Sequence, residues 1–185
     1  MLVRVAKVAL VDFDGTLFST KDALYSSYSS VFMSLNKNLD KADFLKYIYY
    51  SNSESSILHL LDGDESLVNA VRELKISRYP EFFDQIKLNS QLISVLKEFE
   101  RSIIFSNASR NSIDLVLREF NLTTTFTEIL TPDIFNCRKP EIQAFKYVFS
   151  HLNLDPDQLV LYDDDPQNIN VMRKLGGIGE LVILK

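Results

Sequence analysis

The sequence holds a single cysteine, Cys137, so no disulfide can form within the chain, and a reducing cytoplasm is the expected setting. Long apolar runs are missing as well. None approaches the roughly 18 residues that cross a bilayer, so neither a membrane-spanning helix nor a membrane partner is expected. Arg4 and Lys7 lead into the apolar run Val8–Val11. That run is too short for the core of a secretory signal, about 7–15 residues, and it ends in acid, so it reads as a strand. Clusters of lysine and arginine are absent too. With a net charge of −5 and a pI near 5.1, nothing offers the basic footprint that nucleic acid requires. A small anionic substrate would need locally placed positive charge or a metal ion. Histidine is scarce: His59 and His151 lie in or near the ends of helical stretches, where surface placement is the ordinary reading. There are no repeats and no low-complexity segments, and the serine-rich "YSSYSS" reads as the solvent face of a helix.

What is present suits one globular domain with an insertion: 185 residues, 46% hydrophobic and 24% charged. Five runs rich in Val, Ile, Leu and Phe read as strands covered on both faces: Val5–Val11, Ser102–Phe105, Phe126–Leu130, Leu159–Tyr162 and Leu181–Leu184. Helical stripes lie between the later ones, at Ile113, Leu117 and Phe120, at Phe145, Val148 and Leu152, and at Ile169, Met172 and Leu175. This alternation predicts an α/β fold, a Rossmann-like parallel sheet core flanked by helices. Residues 19–88 break the alternation. Leu24, Tyr28, Val31 and Leu35 form one helical stripe, Phe44 and Ile48 a second, and Leu67, Val71 and Leu74 a third. Asp40 and Asp64 suit N-caps, and "RYPEFF" around Pro80 suits a break. The expectation is an all-helical unit, 19–88, inserted after the first strand of a core made of 1–18 and 89–185.

Polar residues follow the carboxyl ends of three of these strands, where open parallel sheets bind ligands. "VALVDFDGT" gives Asp12 and Asp14, which point to the same side of an extended chain. "IIFSN" gives Ser106 and Asn107, and "LVLYDDDPQN" gives Asp163, Asp164 and Asp165. "RKP" sets Lys139 ahead of a helix, with Pro140 suited to its first turn. Carboxylates crowded into one crevice repel unless a cation sits among them. Oxygen ligands without His or Cys select a hard ion, and Mg²⁺ is the usual choice beside phosphate. Lys139 would add a point charge.

In that order, "DFDGTL", "IIFSN", "RKP" and "YDDDPQNI" resemble the four motifs of the haloacid dehalogenase-like (HAD) superfamily, from Val5 to the C-terminus. The helical insertion resembles its C1-type cap. The resemblance implies a Mg²⁺-dependent phosphatase acting on a small phosphorylated metabolite. Asp12 would be the nucleophile that forms an aspartyl-phosphate, and Asp14 the general acid and then base, with a raised pKa. Lys139 would stabilise charge, while Gly15, Thr16, Ser106 and Asn107 hold the phosphoryl group. Asp12, the Asp14 carbonyl, Asp164 and its neighbour Asp163 would bind the metal. Asn168 stands where the family often has an acid. A phosphomutase and a catalytically silent binding module share this scaffold. A dehalogenase is disfavoured by Asp14, and a receiver-type signalling domain by the order of "RKP" before "DDD". Asp165 reads equally as a ligand or a helix start. Cys137 lacks a matched base and reads as structural, and a monomer is the default.

Overall fold

The computed structural model describes residues 8–51 and 54–184. They form two compact units, one reaching to Ser19 and resuming at Lys87, the other Thr20–Ile86. In chain order the elements of the first begin with β1 (Val8–Val11) and β2 (Phe18–Ser19). The second unit holds α1 (Lys21–Ser34), α2 (Lys41–Asp43), a π-helical stretch Phe44–Tyr49, α3 (Glu54–Leu60), α4 (Ser66–Arg78) and a 3-10 stretch Tyr79–Gln85. The first unit resumes with β3 (Lys87–Leu88), α5 (Ser90–Leu96), β4 (Arg101–Phe105), α6 (Arg110–Glu119), β5 (Glu128–Leu130) and α7 (Pro132–Phe135). It ends with α8 (Ile142–Leu152), β6 (Leu159–Asp163), α9 (Pro166–Lys174) and β7 (Ile178–Leu181). No helix among the described residues is long and apolar enough to cross a membrane.

Five strands form one parallel sheet in the order β5-β4-β1-β6-β7, the α/β architecture expected. β1 is central and buried along its whole length, so it carries a continuous apolar run. Its register, Val11 level with Ile104 and with Tyr162, brings three strand ends to one edge. Side-chain alternation then sorts the faces. Val8, Leu10, Ile103, Phe105, Leu159 and Leu161 share a core cluster with Ala144, Phe145 and Val148 of α8 and Ile169 and Met172 of α9. Two residues beyond Leu10 comes Asp12, and two beyond Leu161 comes Asp163, so both acids continue this helix-covered face. Phe13, on the other side, packs on Phe18 at 5.0 Å between ring centres.

The first and last predicted strands differ in extent. Residues 5–7 lie outside the described ones, and the last strand is Ile178–Leu181 rather than Leu181–Leu184. Its glycine, Gly179, looks like loop. Yet Gly179 pairs with Leu161 because α9 crosses so close that an added Cβ would meet Ile169 Cγ2 at 2.9 Å and its carbonyl oxygen at 3.1 Å. Pro140 is also outside its expected place. It follows a cis peptide and precedes the N-cap Glu141, so α8 starts at Ile142. Ser19, Lys87 and Leu88 fall within the first unit because Phe18 pairs with Leu88 and Ser19 with Lys87.

The helical unit has its own core, in which Val31, Phe32, Phe44, Ile57 and Val71 are fully buried. The Asp40 carboxylate accepts from Asp43 N at 2.8 Å, and Asp64 Oδ1 accepts from Ser66 N at 3.0 Å at the start of α4. The stripe of α4 is rotated from the expected one: Val68, Val71 and Lys75 are buried, with Leu67 and Leu74 at its margin. "YSSYSS" is no solvent face either. Ser27 and Tyr28 are buried, and Ser27 Oγ donates to the Lys75 carbonyl at 2.9 Å, a close helix approach that a small residue permits. "RYPEFF" continues α4 as a 3-10 stretch that breaks at Phe82.

Gly179→Ala is expected to destabilise the protein by about 1–3 kcal/mol, as overpacking against backbone does. Chemical denaturation of the variant beside the native chain checks this, and an unchanged midpoint would contradict the close α9–β7 approach.

Candidate active site

Asp12 leaves β1 buried, its N–H still in the sheet and donating to the Tyr162 carbonyl at 2.9 Å. Its Oδ1 accepts from Lys139 Nζ at 2.8 Å, and the same ammonium donates to Asp163 Oδ2 at 2.6 Å. Residues 127 and 24 positions apart in sequence are thus joined through one buried cation. The lysine stem passes the Phe105 ring, with Nζ 5.1 Å from its centre. Asp14 lies partly exposed two residues beyond Asp12, where its backbone bridges to Phe18. Gly15 turns the chain at φ +86°, and a Cβ there would fall on the Asp164 carboxylate. Glycine is required on both counts. Thr16 is buried, and its hydroxyl donates to Asp164 Oδ1 at 3.3 Å.

At the end of β4, Ser106 is buried with its N–H on the Leu130 carbonyl at 3.1 Å, and its Oγ accepts from Ala108 N at 3.1 Å. Asn107 is used differently from the sequence expectation. Its Nδ2 donates to the Lys139 carbonyl at 2.8 Å and its Oδ1 accepts from Lys139 N at 2.9 Å, so the side chain that was expected to hold phosphate holds the lysine's main chain. Arg138, which the sequence reading passed over, donates from Nη2 to the Asn107 carbonyl at 3.1 Å. Nothing in the sequence but its adjacency to Lys139 marks it.

The third strand end resolves the triple acid. Asp163 is fully buried and faces Lys139, while Asp164 is exposed and faces Thr16 and Gly15. Asp165 caps α9, its Oδ1 accepting from Gln167 N at 2.8 Å. Its own N–H donates to Asp163 Oδ1 at 2.9 Å. Asn168, one turn into α9, donates from Nδ2 to both Asp163 oxygens at 3.0 Å, and its buried Oδ1 has no protein partner. The remaining candidates are elsewhere. His151 stacks on Tyr147 and pairs with Glu128 at 2.5 Å, and His59 lies beside Tyr47 in the helical unit. Cys137 is half-buried, its thiol pKa raised by burial and then by Glu141.

Electrostatics follow from this crowding. Burial drives the Asp12 pKa up, the Lys139 ammonium pulls it down, and Asp163 and Asp14 push it up again, for a balance at about 8. Burial alone would lower the Lys139 pKa. The charges of Asp12 and Asp163 and the hydrogen bonds to them more than reverse that, and the ammonium is held above the ordinary lysine range. Because Lys139 bridges both acids, Asp163 sustains it even when Asp12 takes up a proton. Asp164, exposed on its outer side but with its carboxylate set against Gly15, is also raised, by that partial desolvation first and then by Asp163. Asp12, Asp163 and Asp164 each offer an oxygen within 4.8 Å of the others. Three carboxylates against one ammonium leave negative charge uncompensated, and the donor set is oxygen alone, which fits a hard divalent cation such as Mg²⁺.

The fold recurs in solved structures. CbbY of Rhodobacter sphaeroides in complex with phosphate is 17% identical, with a TM-score of 0.82, over 98% of this chain and 88% of that one. A variant of it in complex with xylulose 1,5-bisphosphate is likewise 17% identical, TM-score 0.81, over 98% and 88%. A protein assigned to the HAD hydrolases, YfnB of Bacillus subtilis, bound to magnesium, is 18% identical, TM-score 0.75, over 95% and 87%. At such identities the likeness is one of fold. No curated protein matches the chain. The model of the haloacid dehalogenase-like hydrolase family matches residues 9–177, from β1 through all three strand ends that meet at Lys139, and the chain belongs to that family.

Proposed function

We propose that the protein is a Mg²⁺-dependent phosphatase that hydrolyses a small phosphomonoester through an aspartyl-phosphate on Asp12. The observation that carries this is the buried Asp12–Lys139–Asp163 arrangement, with Asp164 and Ser106 at the neighbouring strand ends. The helical unit Thr20–Ile86 takes the part of a C1-type cap, and the relatives crystallised with phosphate and with a sugar bisphosphate support a phosphorylated metabolite as substrate.

In the first half-reaction a carboxylate oxygen of Asp12 attacks phosphorus, and the bond from phosphorus to the ester oxygen breaks. Asp14 gives its proton to the departing alcohol. In the second, Asp14 takes a proton from water, whose oxygen attacks phosphorus, and the phosphoaspartate bond breaks to release phosphate and restore Asp12. One acid–base group serves both steps because the reaction is split in two. Lys139 fixes the rotation of the Asp12 carboxylate through Oδ1 and holds positive charge beside the reacting group. Ser106 would supply a hydrogen bond to a phosphoryl oxygen, whereas the Gly15 N–H already donates to the Phe18 carbonyl at 2.8 Å. Asp12, Asp164, Asp163 and the Asp14 carbonyl would hold Mg²⁺, which when bound supplies charge neutralisation for an incoming dianion.

Asp12→Asn is expected to reduce turnover of p-nitrophenyl phosphate to background with the fold retained, as circular dichroism would show; normal turnover would refute the nucleophile. Asp14→Asn is expected to slow turnover by about 10²–10⁴-fold. Phosphoenzyme should accumulate, visible by mass spectrometry after an acid quench, and native rates would contradict the proton role. EDTA should abolish activity and Mg²⁺ restore it. Since Asp12 sits at about 8 without a cation, Mg²⁺ added near pH 7 should displace its proton, and affinity should rise with pH until about 8. Calorimetry in buffers of differing ionisation heat reads that proton directly; a pH-independent affinity would overturn the cation's contact with Asp12.

A further inference from the structure

We propose that the Asn107 side chain positions Lys139 and is not itself a ligand of the phosphoryl group, an inference that rests on the phosphatase reading for its rate effects alone. Both ends of the Asn107 amide go to the main chain of one residue, Nδ2 to the Lys139 carbonyl at 2.8 Å and Oδ1 from the Lys139 N–H at 2.9 Å. The side chain thereby acts as a strand neighbour would, offering one donor and one acceptor at matched spacing. A carboxylate lacks the donor, and a serine hydroxyl is too short to span both groups. A second tie joins the same segments, Arg138 Nη2 to the Asn107 carbonyl at 3.1 Å.

What the clamp fixes is the base of a long, flexible side chain. Lys139 must place one ammonium 2.8 Å from Asp12 and 2.6 Å from Asp163, two acids that the sheet itself holds rigid. The segment carrying it leaves α7 through Asn136 in the left-handed region and belongs to no strand. Asn107, by contrast, follows directly on β4, where the Ser106 N–H is on the Leu130 carbonyl. The clamp therefore transfers the rigidity of the sheet to Lys139. The side-chain atoms that would grip phosphate are already engaged, leaving Ser106 as the phosphoryl-facing side chain of this strand end.

The test compares the native chain with Asn107→Ala and Asn107→Asp. With p-nitrophenyl phosphate, Asn107→Ala is expected to lower kcat roughly 10–100-fold. KM should stay within about two-fold and inhibition by inorganic phosphate should not weaken. Asn107→Asp, which keeps an acceptor but loses the donor, is expected to show the same split and serves if the alanine variant fails to fold. Independently of activity, amide exchange at Lys139 should quicken roughly ten-fold or more in Asn107→Ala while Ser106 keeps its protection. A rise in KM and in the phosphate inhibition constant at unchanged kcat would make Asn107 a phosphate ligand and overturn the proposal, as would unaltered exchange at Lys139. If the native chain turns over no phosphate ester, the phosphatase reading falls, and the exchange measurement still decides whether Asn107 holds Lys139.

Discussion

Two carboxylates from different strands, Asp12 and Asp163, meet one ammonium, Lys139, with all three side chains withdrawn from water. Removing any of them from solvent is costly, and only the mutual attraction with well-made hydrogen bonds offsets it. Asp163 shows how completely that requirement is met. Its two oxygens accept from Lys139, from the Asn168 Nδ2, which reaches both, and from the Asp165 N–H that begins α9. Without Lys139 the two acids would face each other out of water, and one of them would hold a proton to higher pH.

The division of labour among the acids follows from the period of two along a strand. Asp12 continues the face of Val8 and Leu10, and Asp163 that of Leu159 and Leu161, so both are buried under α8 and α9 with Lys139. Asp164 is turned to the opposite side, more open to water, where it meets Thr16 and the bare backbone of Gly15. A buried pair locked to lysine and an exposed acid beside a glycine turn are different chemical tools. They come from adjacent positions, 163 and 164, with no special geometry beyond the pleat.

Most of this was legible in the sequence. The strand-end acids, the lysine ahead of a helix and the order of the motifs follow from local patterns: apolar runs mark strands, and polar residues mark their ends. What escaped is long-range or rotational. That Asn107 grips residue 139 is a fact about two loops meeting, and no spacing encodes it. In α4 the buried set is Val68, Val71 and Lys75, because the aliphatic stem of a lysine can lie along Tyr79 with Nζ 4.5 Å from its ring. Periodicity that counts lysine as polar turns the helix the wrong way. Gly179 failed for the converse reason. A glycine in a strand reads as loop until the helix pressing on it is known.

Asn168 shows why the charge count matters. An acid at this place would set a fourth carboxylate against Asp163, whose oxygens lie 3.0 Å from the Asn168 amide nitrogen. The amide instead donates to both oxygens and adds no charge. With Asp12 already raised to about 8 in a cation-free site, the folded chain binds that proton more tightly than the unfolded chain does, so metal-free stability falls as pH climbs from about 4 toward 8. A further acid would deepen that fall. A neutral donor satisfies Asp163 and leaves the cluster at three acids against one ammonium.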